Sequence, residues 1–298
     1  MSVPQAVVIW NSGAGSTESS EHVREQIIRH PEIALVASDS REAAQQAVRG
    51  AVASNVPRII AAGGDGTVSA VVDALADCDT VTTDMAVLPL GTGNDLSRTL
   101  GMSLQPEEAL QACLAGASTP MDVIRATSGS NSRNVANMAT AGNSGRYAQV
   151  LTDEQKKAWG PFCYLRGVLD VLQDLQVFEI ECRVDDGPAE QFRALNLFVA
   201  NGRTSGGGVE VAPRAELADG MFDLVLIRDG SPLELATLTA DYLLTSFLEN
   251  DLVVWRQCRS LEVVAREPLP FSADGDILGN APANFAIRPA AVRVVRGQ

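Results

Sequence analysis

Short apolar runs alternate with longer amphipathic stretches up to about Asp122. Ala6–Trp10 reads as a buried strand, Asn11–Ser16 as the polar loop after it, and a helix follows from about Glu18 to Arg29. Ile33–Ala37 predicts a second strand, and Ser40 stands where it can cap a helix over Arg41–Ala53. The next apolar run starts at Arg58 and ends in Gly63-Gly64-Asp65-Gly66-Thr67, with a helical pattern from Val68 to Ala76. Met85–Leu90 is a further strand, closed by Gly91-Thr92-Gly93-Asn94-Asp95. Leu96–Gly101 and Pro106–Ala115 read as helices, Pro106 suiting a first turn. Strands alternating with helices imply a parallel sheet with right-handed crossovers, hence an α/β fold. In such sheets the loops after strand C-terminal ends build the ligand site, here loops 11–16, 63–67 and 91–95.

After about Asp122 strand-like runs follow one another: Phe178–Val184, Leu195–Ala200, Phe222–Ile227, Leu261–Ala265 and Ala291–Val295. Turn formers separate them, among them Asp185-Asp186-Gly187-Pro188 and the hairpin turn Ser128–Ser132. Helices are expected over 162–175 and 232–249. This half reads as an antiparallel β-sandwich. The expected division is 1–122 and 123–298, with the last residues packing back on the first domain.

Composition narrows the function. The chain has 298 residues, 46% apolar and 20% charged, enough for a full core. No apolar run reaches the ~18 residues of a membrane span, and the N-terminus lacks a signal-peptide pattern. A cytoplasmic protein is expected, with transient contact at a membrane surface left open. The net charge of −14 argues against nucleic acid and weakens docking to anionic lipid. Five scattered cysteines without a C-x-x-C pattern argue for a reduced compartment and against zinc. His22 and His30 are the only histidines, which disfavours a histidine-based triad.

The loops carry the chemistry. Gly63–Thr67 joins a strand to a helix N-terminus, where unpartnered N–H groups and the helix dipole suit a phosphate. The bland reading is a tight turn. Asp65 is out of place there, because a carboxylate repels phosphate unless a cation or a reacting hydroxyl lies between them. Gly91–Asp95 is a second such loop: Thr92 can hydrogen-bond a phosphate, and Asp95 can hold Mg²⁺ or another carboxylate in register. Gly206-Gly207-Gly208 reads either as a mobile loop or as a cleft lining, with Arg203 facing phosphate. Asp219 sits in a tight loop able to bind a hard cation, or in a plain Asp-Gly turn. Phe271–Asp276 is a hairpin turn or an acidic loop for phosphoryl transfer, which needs a proton acceptor and carboxylates for Mg²⁺.

Gly63-Gly64-Asp65-Gly66-Thr67, Leu88–Asp95, Asn201-Gly202-Arg203 with Gly206–Gly208, Asp219-Gly220 and Asp274-Gly275-Asp276 occur in the order of the diacylglycerol-kinase catalytic family. The chain most resembles the bacterial YegS-like lipid kinases, and Asn137–Thr140 and Arg288–Arg293 fit that group. The resemblance implies an α/β domain like those of phosphofructokinase and NAD kinase, a C-terminal β-sandwich, and ATP in the cleft between them. It assigns ATP contacts to Asn11, Ser38, Gly63, Gly64, Asp65, Gly66, Thr67, Gly91, Thr92, Asn94 and Asp95. It implies Mg²⁺ held by the Asp219 carboxylate with the carbonyls of Glu216 and Met221. The proton acceptor falls on Asp276, where the family has Glu, with Asp274 as the fallback; Asp65 and Asp95 would organise the catalytic Mg²⁺. The implied activity is phosphoryl transfer from ATP to the hydroxyl of diacylglycerol, phosphatidylglycerol or a similar lipid in phospholipid metabolism. The alternatives are a kinase for a soluble hydroxyl compound and an inactive lipid- or nucleotide-binding regulator. The state of assembly is left open, a homodimer included.

Overall fold

The apolar runs of the first half pair as a parallel sheet in the computed structural model, which describes residues 3–11, 13, 18–78, 82–143, 175–243 and 247–297. The elements are β1 (Ala6–Asn11), α1 (Glu18–Ile28), β2 (Ile33–Ser38), α2 (Arg41–Ala53), β3 (Arg58–Gly63), α3 (Asp65–Ala76), β4 (Asp84–Pro89), α4 (Asp95–Thr99) and α5 (Pro106–Ala115). The strand order is β2-β1-β3-β4, with Ala6 opposite both Ile33 and Arg58, and Arg58 opposite Asp84. This register sets the C-terminal ends of all four strands along one edge. Ser40 Oγ accepts the Ala43 N–H and so caps α2. Helix α3 is buried from Thr67 to Ala76. It packs against β3, α2 and the second half of the chain, which is why its sequence is apolar all round rather than on one stripe.

The second half contains β5 (Ser118–Ser128), β6 (Asn131–Val135), β7 (Met138–Gly142), β8 (Phe178–Val184), β9 (Ala189–Ala200), β10 (Thr204–Ser205), β11 (Val209–Glu210), β12 (Phe222–Arg228), α6 (Pro232–Leu243), β13 (Val253–Cys258), β14 (Ser260–Ala265), β15 (Pro270–Ala273), β16 (Asp276–Asn280) and β17 (Ala283–Val295). Its strands pair with one another antiparallel, as expected of a sandwich. They enclose an apolar core that includes Ile124, Phe178, Leu224, Phe271 and Phe285. The last strand joins the halves. Val294 pairs parallel with Met85 of β4, and Val292, Val294 and Val295 are buried in the first half's core.

Two strands exceed the lengths read from the pattern. β17 begins at Ala283, not Ala291, and bulges between Arg288 and Val292 with Ala290 at φ 49°. Pro289 made that bulge look like the end of a run. β9 begins at Ala189: its polar start over 189–193, in which Phe192 alone packs on the core, pairs with β8. Of the helix expected over 232–249, Pro232–Leu243 is helical and Phe247–Glu249 forms a 3-10 turn, while 244–246 lie outside the described residues. The helix expected over 162–175 lies, but for its last residue, outside the described residues.

Candidate active site

The loops after β3 and β4 touch through their glycines. A Cβ on Gly91 would lie 2.4 Å from Gly64 Cα, and one on Gly93 would lie 2.5 Å from Asp65 Oδ2. That contact lets Asp65 reach across: its Oδ2 accepts the Asn94 N–H at 2.9 Å and its Oδ1 the Asp95 N–H at 2.7 Å. The carboxylate therefore caps the first turn of α4, a favourable place for negative charge. This answers the awkward carboxylate of the sequence without a cation: backbone amides of the neighbouring loop hold its charge. Asp65 reaches a metal only with the lone pairs those amides leave. Burial, and then the charge of Asp95, push its carboxyl above the usual range.

Asn94 closes its own loop from a left-handed conformation (φ 52°), with Nδ2 donating to Gly91 O at 2.7 Å and Oδ1 accepting the Gly91 N–H at 3.1 Å. Asn11 Nδ2 donates to Thr67 Oγ1 at 3.1 Å, so those two hydroxyl and amide groups meet. Ser38 is buried and its hydroxyl donates to Ser40 O. Thr92 is exposed at the loop tip, and so is Gly66, at the start of α3. Gly66 differs from its neighbours: a Cβ there would meet nothing within 4 Å. Packing does not explain that glycine.

The second half grips the same loops. Gly206, Gly207 and Gly208 have φ of 68°, 90° and 102°, a left-handed run that glycine adopts readily. The run turns successive N–H groups inward as an anion nest, and Asp95 fills it. Its carboxylate accepts from Gly207 N at 3.1–3.2 Å and from Gly208 N at 2.8 Å. The triplet is thus fixed through a buried carboxylate and not a free loop, while Asp95 has three amide contacts competing with any metal. Arg203 Nε donates to Ala215 O at 3.0 Å, which commits that nitrogen to the Asp219 loop instead of a phosphate.

The acidic hairpin between β15 and β16 faces α3. Asp274, at φ 48°, accepts the N–H groups of Ala136, Asn137 and Met138 at 2.8–3.0 Å. Burial outweighs those donors and lifts its carboxyl to about 6. Asp276 stands at the first position of β16, its side chain 45% exposed and paired with Arg41 Nη1. Asn137 connects this hairpin to the glycine loops: its Nδ2 donates to Thr204 O at 2.9 Å, and Thr204 Oγ1 donates to Asp95 O at 3.2 Å.

Asp219 sits apart, in a turn that Gly220 makes at φ 75°. Its Oδ1 accepts the Met221 N–H at 2.9 Å and its Oδ2 accepts Gln257 Nε2 at 3.0 Å. Asp122 ties this turn down, accepting the N–H groups of Gly220 and Ala290 at 2.7 Å each. Nearby Asp223 bonds Trp255 Nε1 at 3.0 Å, and burial raises its carboxyl. Among the described residues no three His, Cys, Asp or Glu side chains converge as a metal site, so a cation at Asp219 requires backbone carbonyls.

Sequence reasoning missed Arg41, Ser69, Asp73 and Asn134, which link α2, α3 and β6. Asp73 gave the one available signal: an acid within the apolar run Val68–Ala76 needs a partner.

Comparison with known proteins matches these features to one family. Residues 5–126 match the diacylglycerol kinase catalytic domain, and residues 137–296 match the YegS C-terminal NAD kinase beta sandwich-like domain. The protein named Probable lipid kinase YegS-like in Pseudomonas putida is 32% identical over 84% of this chain and 81% of its own. The protein of the same name in Pseudomonas aeruginosa is 30% identical over 97% of this chain and 92% of its own. A diacylglycerol kinase structure from Bacillus anthracis aligns over 98% of this chain and 96% of its own, at TM-score 0.73 and 19% identity, which shows a common fold. Yeast NADH kinase shares that fold more distantly, at TM-score 0.57 and 10% identity over 100% of this chain and 85% of its own. The chain belongs to the diacylglycerol-kinase catalytic family, in its YegS-like lipid-kinase branch of phosphotransferases that act on an alcohol group.

Proposed function

We propose that this protein is an ATP- and Mg²⁺-dependent lipid kinase that transfers the γ-phosphoryl group of ATP to a lipid hydroxyl, such as that of diacylglycerol or phosphatidylglycerol. One observation carries the reading: two glycine loops are stitched together at the C-terminal edge of a parallel sheet, with a carboxylate hairpin linked to them from the other half of the chain. Gly66 fits a phosphate, since its missing side chain leaves open space at a helix N-terminus. The first N–H groups of α3 would orient the ATP phosphates, and Thr92 would add a hydroxyl donor. Asp276 would take the proton from the attacking hydroxyl, with Asp274 as the second carboxylate able to do so. The oxygens of Asp219, Glu216 O and Met221 O are the hard ligands that suit Mg²⁺; the bound ion would supply positive charge that organises the acidic loop. Catalysis is then mostly positioning and charge neutralisation.

The test is ATP turnover over a panel of lipids and soluble alcohols, with product identification. Asp65→Asn and Asp276→Asn proteins that turn over at the wild-type rate would sink the assignment. The net charge of −14 favours a second reading, a soluble hydroxyl acceptor, because it opposes docking to anionic lipid. Liposome flotation with and without anionic lipid separates the two.

A further inference from the structure

Arg41 is the first residue of α2, and its side chain is only 17% exposed. Two of its three nitrogens have partners. Nη2 is anchored on α3, donating to Asp73 Oδ2 at 3.2 Å and to Ser69 Oγ at 3.3 Å. Asp73 is itself immobilised: its Oδ1 accepts from Asn134 N and Nδ2 at 2.9 and 3.1 Å, and its Oδ2 accepts Gln45 Nε2 at 3.0 Å. Nη1 crosses to the second half and donates to Asp276 Oδ2. Nε is buried without a partner.

We propose that Arg41 is the positioning residue for Asp276, selecting the one rotamer in which the carboxylate faces the reacting hydroxyl. The proposal rests on the kinase reading in making Asp276 the proton acceptor. The physical argument is preorganisation. Asp276 follows two left-handed residues, Asp274 and Gly275 (φ 48° and 89°), and its half-exposed side chain would otherwise sample several rotamers in water. A planar guanidinium fixed at one end presents a directed donor at the other, which a flexible ammonium cannot copy. Two carboxylates, Asp73 and Asp276, share the one guanidinium, Asp274 is occupied by backbone amides, and Arg288 approaches Asp73 only through Asn134. Arg41 therefore holds Asp276 from a rigid base in the first half, across the same junction at which Asp95 meets Thr204, Gly207 and Gly208.

The experiment uses the full chain with Arg41→Met and Arg41→Lys. With the acceptor on which the wild type is active, Arg41→Met is expected to lower kcat about 10- to 100-fold while KM for ATP stays within about threefold. Arg41→Lys is expected to recover part of that loss. A folded Arg41→Met protein with wild-type kcat, or with its loss confined to KM, overturns the proposal, because a merely structural brace would lower the urea midpoint and leave kcat. A readout without turnover separates this from failure of the kinase reading. In ¹⁵N-labelled wild type, the Arg41 Nη protons, assigned by their loss in Arg41→Lys, are expected as resolved, slowly rotating signals that average in Asp276→Asn. Signals unchanged by Asp276→Asn overturn the cross-junction contact whether or not an acceptor has been found. If the wild type phosphorylates no acceptor, the kinase reading falls and these spectra alone decide whether Arg41 holds Asp276.

Discussion

Gly66 and Gly91 are both glycines of the paired loops, and the structure predicts opposite outcomes for one added methyl group. At Gly91 the new Cβ would lie 2.4 Å from Gly64 Cα, where van der Waals contact requires at least 3.4 Å. The obstacle is backbone, so the loops must part by about 1 Å. Asp65 then loses its grip, because its hydrogen bonds of 2.9 and 2.7 Å stretch past the hydrogen-bonding range. Each is a bond to an ionised acceptor worth about 1.5–3 kcal/mol, and partial relaxation leaves an expected cost of about 2–4 kcal/mol for Gly91→Ala. At Gly66 the Cβ would meet nothing within 4 Å, and alanine in a helix gains up to about 0.5–1 kcal/mol over glycine. Gly66→Ala should thus keep or raise the urea midpoint, yet put a methyl group into the proposed phosphate site and weaken ATP binding at least tenfold, about 1.4 kcal/mol. The assays are urea unfolding followed by circular dichroism and ATP titration by calorimetry. Wild-type ATP affinity in a stable Gly66→Ala protein would refute the phosphate-loop assignment. A Gly91→Ala protein with an unchanged urea midpoint would refute the loop–loop packing argument.

Asp95→Ala should free the Gly207 and Gly208 amides, cost about 2–4 kcal/mol in urea unfolding, and increase proteolysis between 203 and 209. For pH, Asp274 has a folded value raised from 3.8 to about 6, so its contribution to stability is present below 3.8 and is lost as pH rises through 6. Stability of Asp274→Asn relative to wild type should therefore improve between pH 4 and pH 7, as read from unfolding curves; a flat difference contradicts the raised carboxyl. If Asp274 is the base, kcat/KM falls as pH drops through about 6 and that limb vanishes in Asp274→Asn. Chelation by EDTA should lower Tm in the wild type, with Mg²⁺ restoring it, and Asp219→Ala should abolish both responses; a Tm indifferent to EDTA and Mg²⁺ removes the metal from that loop.

The parallel half was readable because each strand and helix there satisfies its own pattern. Arg58–Gly63 and Pro106–Ala115 form with the boundaries that apolar runs, glycine and proline set. In the second half, Pro289 disguised the middle of β17 and the polar start of β9 hid a paired strand, since pairing with a neighbour leaves no hydrophobic alternation on an exposed edge. Candidate residues were legible as types and illegible as contacts. Spacing flagged Asp65, Asp95, Asp274 and Asp276 alike, because a carboxylate that holds a metal and one that holds backbone amides look the same in sequence. Arg41 gave no signal: the contact that distinguishes it spans 235 positions.

The four carboxylates divide once their partners are known. Asp65 takes two amides of the α4 turn, Asp95 the nest at Gly207–Gly208, and Asp274 three amides of the segment before and into β7. Each accepts from a segment remote in sequence, so each joins elements that the hydrophobic core alone does not register to within a bond length. Asp122 does the same for the Asp219 turn. Asp276 meets a side-chain guanidinium instead, and only half its surface is covered. A proton acceptor must keep lone pairs available to substrate, and three amides on Asp274 leave fewer than one guanidinium contact on Asp276. The division thus ranks Asp276 ahead of Asp274 as the base. It also gives the acidic loops a structural reason of their own: backbone amides of the folded chain stabilise most of this charge.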